Sequence, residues 1–448
     1  MAARLVLFLV AFIGTSVLGM SATRQISLDE AIDLALHQNK NVAIARISVT
    51  KADAQVKEAF GYALPTLAIA ANYNHNVQAP VFFLPNFQDP SAGVMPVRFG
   101  LNNAYNVNAT LSQVIFNGAV FSGIGAANVY ADAARAQFKA AVAEVVTETK
   151  KRYYGALAAR EFVSISRNTL DNAQQNFDNI DALFKEGLVA EFDQIRASVT
   201  VDNIRPTVTE SEAGYANAVS ALMQYLALDL ADTVEPVVSS LEEPSAIPAE
   251  DTSIVRALRE NYDLKALELT KETLERAVDV YRADYYPTLS FIGQWSNQGQ
   301  SDKLTNWASA TSAFVGLGFN FNIFNGFRTI AKVEQAKADF LSIEQQYELT
   351  KDLIKLQVRS IINKMNSAKQ RIDAQKLTVN QAQRGQDIAR IRYNEGTGSL
   401  IEINDAEFAL ARARVNRLTA LLDYFSTKAD YDKSVGLVDE KYLKMAEM

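Results

Sequence analysis

Few side chains in this sequence are equipped to make or break bonds. Its 448 residues include no cysteine, which removes thiolate nucleophiles, disulfides, Cys-ligated metals and an acylated cysteine as a lipid anchor. The two histidines, His37 and His75, stand far apart in unlike contexts and read as surface or packing residues rather than ligands. No phosphate-cradling glycine loop, nucleophile elbow or zinc signature occurs. Neither catalytic residues, a metal nor a cofactor is expected. The net charge of −7 argues against a nucleic-acid partner. What remains is the chemistry of contact: carboxylates and cations gathered near two Glu-Gly pairs, and aromatic rings in alternating segments.

Two long proline-free stretches must position those groups. One runs from Ile115-Phe116-Asn117-Gly118 to Phe184-Lys185-Glu186-Gly187, the other from Ile323-Phe324-Asn325-Gly326 to Tyr393-Asn394-Glu395-Gly396. At 1.5 Å per residue each would span roughly 100 Å, whereas an ordinary globular helix has about 10–14 residues. Apolar and small residues step by three and four through the first (Ala156, Ala159, Val163, Ser166, Leu170, Ala173, Phe177, Ile180, Phe184), which is a heptad seam. The second has its own seam through Ile354, Ile361, Met365, Ala368, Ile372 and Val379.

The chain is a tandem repeat. Ala31-Ile32 to Asn39 matches Ser253-Ile254 to Asn261, and Pro65-Thr66-Leu67 matches Pro287-Thr288-Leu289, both at an offset of 222. Residues 1–22, a single positive charge followed by an apolar run and small residues, describe a secretory signal peptide. The first repeat, 23–236, is expected to hold a helix over 31–60 opened by the capping box at Ser27, strands over 64–76 and 105–117, a long helix over 119–185 and a return helix over 190–228 containing Pro206. A proline-rich linker at 237–252 precedes the second repeat, 253–448. That repeat is expected to hold a helix over 253–284, strands over 287–297 and 311–325, a long helix over 327–394, a return helix over 399–426 and a loosely packed charged C-terminal segment. The proline-studded stretch from Val77 to Asn103 reads as a loop.

The four alternating segments have the length of tilted transmembrane strands, with one face apolar and the other rich in Asn, Ser, Thr and Gly. Tyr73, Tyr105, Trp295 and Phe321 on the apolar faces suit an aromatic girdle at the lipid boundary. Four strands cannot close a membrane barrel, and open edges are not tolerated in lipid, so a spanning sheet requires several copies of the chain. Long helices with unpartnered sides carry the same requirement. Copies about one axis would place a helical tube in line with a strand barrel.

With its tandem halves, doubled Ile-Phe-Asn-Gly, paired Pro-Thr-Leu strand openings and the two Glu-Gly turns, the chain resembles the TolC-like outer-membrane efflux proteins over nearly all of its mature length. The resemblance implies a mainly α fold with transmembrane β: a homotrimer whose 12-stranded outer-membrane barrel continues into an α-helical periplasmic barrel. It implies an exit duct for a tripartite efflux pump or type I secretion system of a Gram-negative bacterium, partnered by a periplasmic adaptor and an inner-membrane pump. By position, Asp193 resembles the family's gate aspartate and Tyr393 its gate tyrosine, while Glu402 and Asp405 resemble the acidic residues ringing the constriction. Three apart, these last two can share a helix face. The gate arginine has no match, since Gly398 stands in its place, and Arg392, Arg196 or Lys185 are the candidate substitute cations. Gly187-Leu188 and Gly396-Thr397 resemble the tips where adaptor hairpins dock. Two other readings are a periplasmic coiled-coil scaffold without a pore, which leaves the alternating segments unexplained, and a passive porin, which leaves the long spacer unexplained.

Overall fold

A computed structural model describes residues 24–78, 81–86, 88–98, 100–230, 232, 234–237 and 245–447. The expected signal peptide and part of the linker lie outside these residues. In chain order the elements are β1 (Arg24–Ile26), α1 (Leu28–Gln38), α2 (Lys40–Gly61), β2 (Thr66–His75), β3 (Val81–Pro85), β4 (Val94–Arg98), β5 (Asn103–Phe116), α3 (Gly118–Lys185), α4 (Glu191–Tyr225) and β6 (Val234–Pro236). They continue as α5 (Glu250–Glu260), α6 (Tyr262–Arg282), β7 (Thr288–Ser301), β8 (Ala308–Asn320), α7 (Arg328–Asn394), α8 (Leu400–Ser434) and α9 (Glu440–Glu447). No helix among the described residues is long and apolar enough to cross a membrane.

The long helices are continuous. α3 has 68 residues and α7 has 67, hence about 100 Å each. The doubled Ile-Phe-Asn-Gly launches them differently. Asn117 caps α3, its side-chain oxygen accepting from the amides of Ala119 and Val120 at 3.0 and 3.3 Å. Asn325 instead donates to Thr329 Oγ1 at 2.6 Å, and the chain enters α7 through Gly326 and Phe327, both left-handed at φ 69° and 62°. Each of the two seams is buried at its centre, Ala173 of α3 against Val201, Ile204 and Val208 of α4, and Ile354 to Ile372 of α7 against Ala420, Leu421 and Tyr424 of α8.

The expected helices over 31–60 and 253–284 are each two helices. Asn39 and Asn261 interrupt them with extended backbone, ψ 131° and 125°. Each caps the helix that follows, Asn39 Oδ1 accepting from Asn41 N at 2.8 Å and Asn261 Oδ1 from Leu264 N at 2.9 Å. The linker ends sooner than expected, because α5 begins at Glu250, and α8 runs on to Ser434. α4 runs through Pro206 and stops at Tyr225. The stretch read as a loop contains the short antiparallel ribbon β3–β4. Pro85 and Pro96 are tolerated there because a two-stranded ribbon leaves one side of each strand without a ladder partner. The C-terminal segment is not loosely packed: Tyr442 and Ala446 of α9 lie in the core that also holds Ile26, Ile32 and Tyr153. The Tyr153 hydroxyl contacts the carbonyls of Ile26 and Val237 at 2.9 and 2.8 Å, fixing the small parallel pair β1–β6 at the waist.

The strands form one antiparallel sheet in the order β2-β5-β7-β8. Each hairpin is therefore internal to a repeat, while the β5–β7 ladder joins the repeats, a pairing that no local pattern announces. The register puts Leu67, Ile69 and Tyr73 of β2 on the face shared by Leu111, Ala109 and Tyr105 of β5, Trp295 of β7 and Val315 of β8. The opposite face carries Asn72, Asn106, Asn108, Thr110, Gln294 and Ser296. The expected strand over 311–325 ends at Asn320, so Phe321 lies just past it. On the edge strands the apolar face is bare, with Leu67 71% and Ile69 74% exposed.

Candidate functional site

The candidate site is the pair of helical turns at the far end from the sheet. Both follow one plan. Gly187 and Gly396 adopt φ 74°, a left-handed conformation that glycine enters without penalty. Gly187 N donates to Phe184 O and Leu188 N to Leu183 O; Gly396 N donates to Tyr393 O and Thr397 N to Arg392 O, all at 2.9 Å. These bonds satisfy the last carbonyls of α3 and α7 and hold the tip residues Leu188 and Thr397 outward.

The structure distributes the expected gate residues over both turns. Tyr393 near the end of α7 lies close enough to Asp193 of α4 for its charge to act on the phenol. Burial first, and that neighbouring carboxylate second, push Tyr393 above the usual tyrosine range. Arg392 bridges the second turn, with Nη1 3.4 Å from Glu402 Oε2 and Nη2 donating to Thr397 O at 3.2 Å. Glu402 sits in the first turn of α8, its amide donating to Ser399 Oγ at 3.3 Å. Asp405 is exposed on the same helix.

The other candidate cations are placed differently. Lys185 pairs with Asp181 on its own helix at 2.6 Å, and that bond raises the lysine and lowers the aspartate relative to their usual ranges. Gln194 Nε2 donates to the same Asp181 at 2.7 Å, tying α4 back to α3. Arg196 makes no ion pair with a described residue. The glycine at 398 has a steric cause. A Cβ there would come within 2.9 Å of Tyr393 N and 3.1 Å of the Arg392 carbonyl carbon, so the turn is closed too tightly for an arginine. Gly398 N donates to Arg392 O at 2.9 Å.

Sequence reasoning missed two features here. Ile180 and Ala197 of the first turn pack against Leu400 of the second, with Phe177, Val189 and Tyr393 around them, so an apolar cluster joins the two halves at the tip. Phe177 and Ile180 belong to a visible seam, but nothing local says that Leu400 completes it. Above this cluster Glu407 of α8 is half-buried. Desolvation lifts its carboxyl above the usual range, against the opposing pull of the amides of Gln386 and Asn176 and the charge of Arg390.

At the other end, Tyr73 stands opposite Tyr105 in the ladder, and Trp307 packs edge-on to both rings at 6.4 and 5.0 Å. Trp295 pairs with Ala109, four rungs nearer the helices, or about 13 Å away at 3.3 Å per residue. The structure therefore groups Tyr73 and Tyr105 with Trp307, and leaves Trp295 at mid-height and Phe321 at the helical end. Among the described residues no group of three or more His, Asp or Glu could hold a metal ion.

This architecture matches the family model for outer membrane efflux proteins, and it does so twice, over residues 31–228 and 253–436. The chain belongs to the outer membrane efflux protein family. It is similar to the outer membrane protein TolC of Escherichia coli (strain K12), 22% identical over 443 residues that cover 95% of this chain and 86% of that protein. It is also similar to the alkaline protease secretion protein AprF of Pseudomonas aeruginosa, 23% identical over 349 residues, 77% of this chain and 72% of that one. Its fold is that of the Campylobacter jejuni CmeC outer membrane channel, with a TM-score of 0.78 at 20% identity over 94% of this chain and 89% of that one. The open Neisseria gonorrhoeae MtrE outer membrane channel superposes with a TM-score of 0.72 at 20% identity, covering 91% and 88%.

As a member of this family the chain is an outer-membrane channel with a periplasmic extension, a transport protein and not an enzyme. Each of its two matched segments contains one β-hairpin with its long helix and at least most of its return helix. Such channels work with an adaptor and an inner-membrane pump.

Proposed function

We propose that three copies of the chain close one channel-tunnel, whose periplasmic mouth is held shut by the two turns and opened by an adaptor docking on their tips. The order β2-β5-β7-β8 with bare apolar edges carries this reading. Unpaired backbone groups cannot face hydrocarbon, so β2 of one copy must pair with β8 of another. Two copies would give eight strands, a barrel whose interior side chains fill. Three give twelve and a lumen lined by the Asn-, Thr- and Ser-rich face.

At the mouth, the Arg392–Glu402 pair supplies a polar contact, Asp193 lies within electrostatic reach of Tyr393, and Asp405 adds a further carboxylate ring. Exposed ion pairs are worth about 0.2–1 kcal/mol each, so a few per copy, tripled, make a lock that adaptor binding can release. Arg392 serves as the cation that an arginine at 398 would otherwise provide. Gly187, Leu188, Gly396 and Thr397 form the docking tips, where Leu188 is 70% exposed. Acidic rings favour cations in the pore.

The test is the mass of the detergent-solubilised protein together with its current in planar bilayers. A trimer with small conductance is expected, rising in Asp193→Ala and Glu402→Ala. Unchanged current and selectivity in both variants would remove these residues from the gate, and a monomer without pores would reject the channel itself.

A further inference from the structure

The internal repeat shows which surfaces of a single chain await a second copy. α3 and α7 are equivalent helices. The spacing of 209 between Gly187 and Gly396 also carries the buried Val145, Tyr153 and Ala156 of α3 onto the buried Ile354, Ile362 and Met365 of α7. In the same way 222 carries the buried Val42 of α2 onto the buried Leu264 of α6. Within the chain, α6 of the second half covers α3 of the first. α2 packs on α3 of its own half just as α6 packs on α7, but its second face, equivalent to the one α6 lays on α3, packs on no α7 within the described chain.

The chemistry of the two junctions is inverted. Where α6 meets α3, Ala266 and Asp263 face Ala140 and Glu144, and Lys433 pairs with Glu144 and with Asp263, the latter at 3.8 Å. Translated to the uncovered junction, Glu144 becomes Leu353, Asp263 becomes Asn41 and Lys433 becomes Gln224, so the ionic triad is gone. Ala140 becomes Leu349, and Ala266 becomes Ile44. These residues are open to solvent: Ile44 62%, Ile47 67%, Leu349 53% and Leu353 52%. A junction inside one chain needs little attraction, since the chain already holds its halves together. One between separate copies must overcome the loss of free motion, and apolar burial supplies that.

We propose that Leu349 and Leu353 on α7 seat against Ile44 and Ile47 on α2 of a second copy, forming an apolar belt at the waist that binds the copies to one another. The inference rests on the three-copy channel and names the surface that assembles it. Ile44 and Leu349 take the places of Ala266 and Ala140, which line one groove between α6 and α3 within the chain, with Ile47 and Leu353 one turn along the same two helices.

The chain has no cysteine, so the paired variant Ile44→Cys/Leu349→Cys reports this contact directly. In detergent-solubilised protein under mild oxidant, covalent dimers and trimers are expected that collapse on reduction, while each single variant stays uncrosslinked. Leu353→Glu, at an exposed position that leaves the protomer fold intact by circular dichroism, is expected to abolish the trimer peak. A trimeric mass with no crosslink in the paired variant, or a trimer that survives Leu353→Glu, overturns the belt and leaves the channel standing. A monomeric mass for the unaltered protein overturns both.

Discussion

Asn39 and Asn261 make the same two contacts in the two halves of the chain. Each caps the next helix with its oxygen, and each sends its amide nitrogen to the carbonyl at the end of a return helix: Tyr225 at 2.9 Å, Ser434 at 3.0 Å. Both are buried at 6% exposure, and both pairs obey the repeat offsets of 222 and 209. Replacing either by alanine removes a cap and leaves a buried carbonyl unpaired, at about 1–3 kcal/mol. Asn39→Ala and Asn261→Ala should each lower the thermal midpoint of the detergent-solubilised protein by several degrees. An unchanged midpoint in both would show that the helix breaks do not depend on these side chains.

Glu407 gives a pH dependence with a definite sign. Its carboxyl is raised in the folded chain, so the fold binds the proton more tightly than the unfolded chain does. Above the folded value the partly desolvated charge weakens the fold. As pH falls through that value toward the ordinary carboxylate range, stability is gained. Glu407→Gln should therefore raise the thermal midpoint at neutral pH and flatten its dependence between neutrality and mild acid. A variant that melts lower at neutral pH would show that the amide and Arg390 contacts outweigh desolvation.

Gly398 should resist even the smallest side chain. In Gly398→Ala the new Cβ meets backbone on both sides of the Arg392–Tyr393 bond, so the turn must open. Hydrogen exchange at the amides of Thr397 and Gly398, which both donate to Arg392 O, is expected to quicken at least tenfold, about 1.4 kcal/mol of lost protection. Exchange at the native rate would mean that the turn has slack and that the glycine is there for another reason.

The chain has two tryptophans, Trp295 and Trp307, and they sit at different heights. With Trp307→Phe in place, Trp295 alone reports the apolar face of the sheet at mid-strand. Lipids brominated along the acyl chain should quench it strongly, and more so as bromine is placed deeper. Fluorescence indifferent to bromine depth would turn that face away from lipid.

Much of this molecule could be read from its residues. The long helices follow from proline-free seams closed by Glu-Gly, and the strands from alternation whose apolar face the register reproduces from Leu67 to Val315. What escaped was contact between residues distant in sequence. A lone asparagine inside a helical pattern looks the same whether it breaks the helix, as Asn39 does, or rides on its surface. The β5–β7 ladder and the Ile180–Leu400 contact join the halves, and neither leaves a periodic trace. Gly398 was visible as a departure, but only the backbone around Arg392 explains it. At the sheet's outer end, Trp307 was overlooked because it lies in a turn between strands, outside any alternating pattern.

The unpaired borders of the sheet also constrain how the channel is made. Along β2 and β8 each uncovered amide or carbonyl would cost several kcal/mol in hydrocarbon, so a solitary copy has no stable place in the bilayer. For a three-copy barrel, the expectation is that the copies associate before, or as, they enter the lipid. On the three-copy reading, a copy lacking β8 but keeping its helices is expected to join the others and leave the barrel open, so that its co-expression lowers the yield of finished channel.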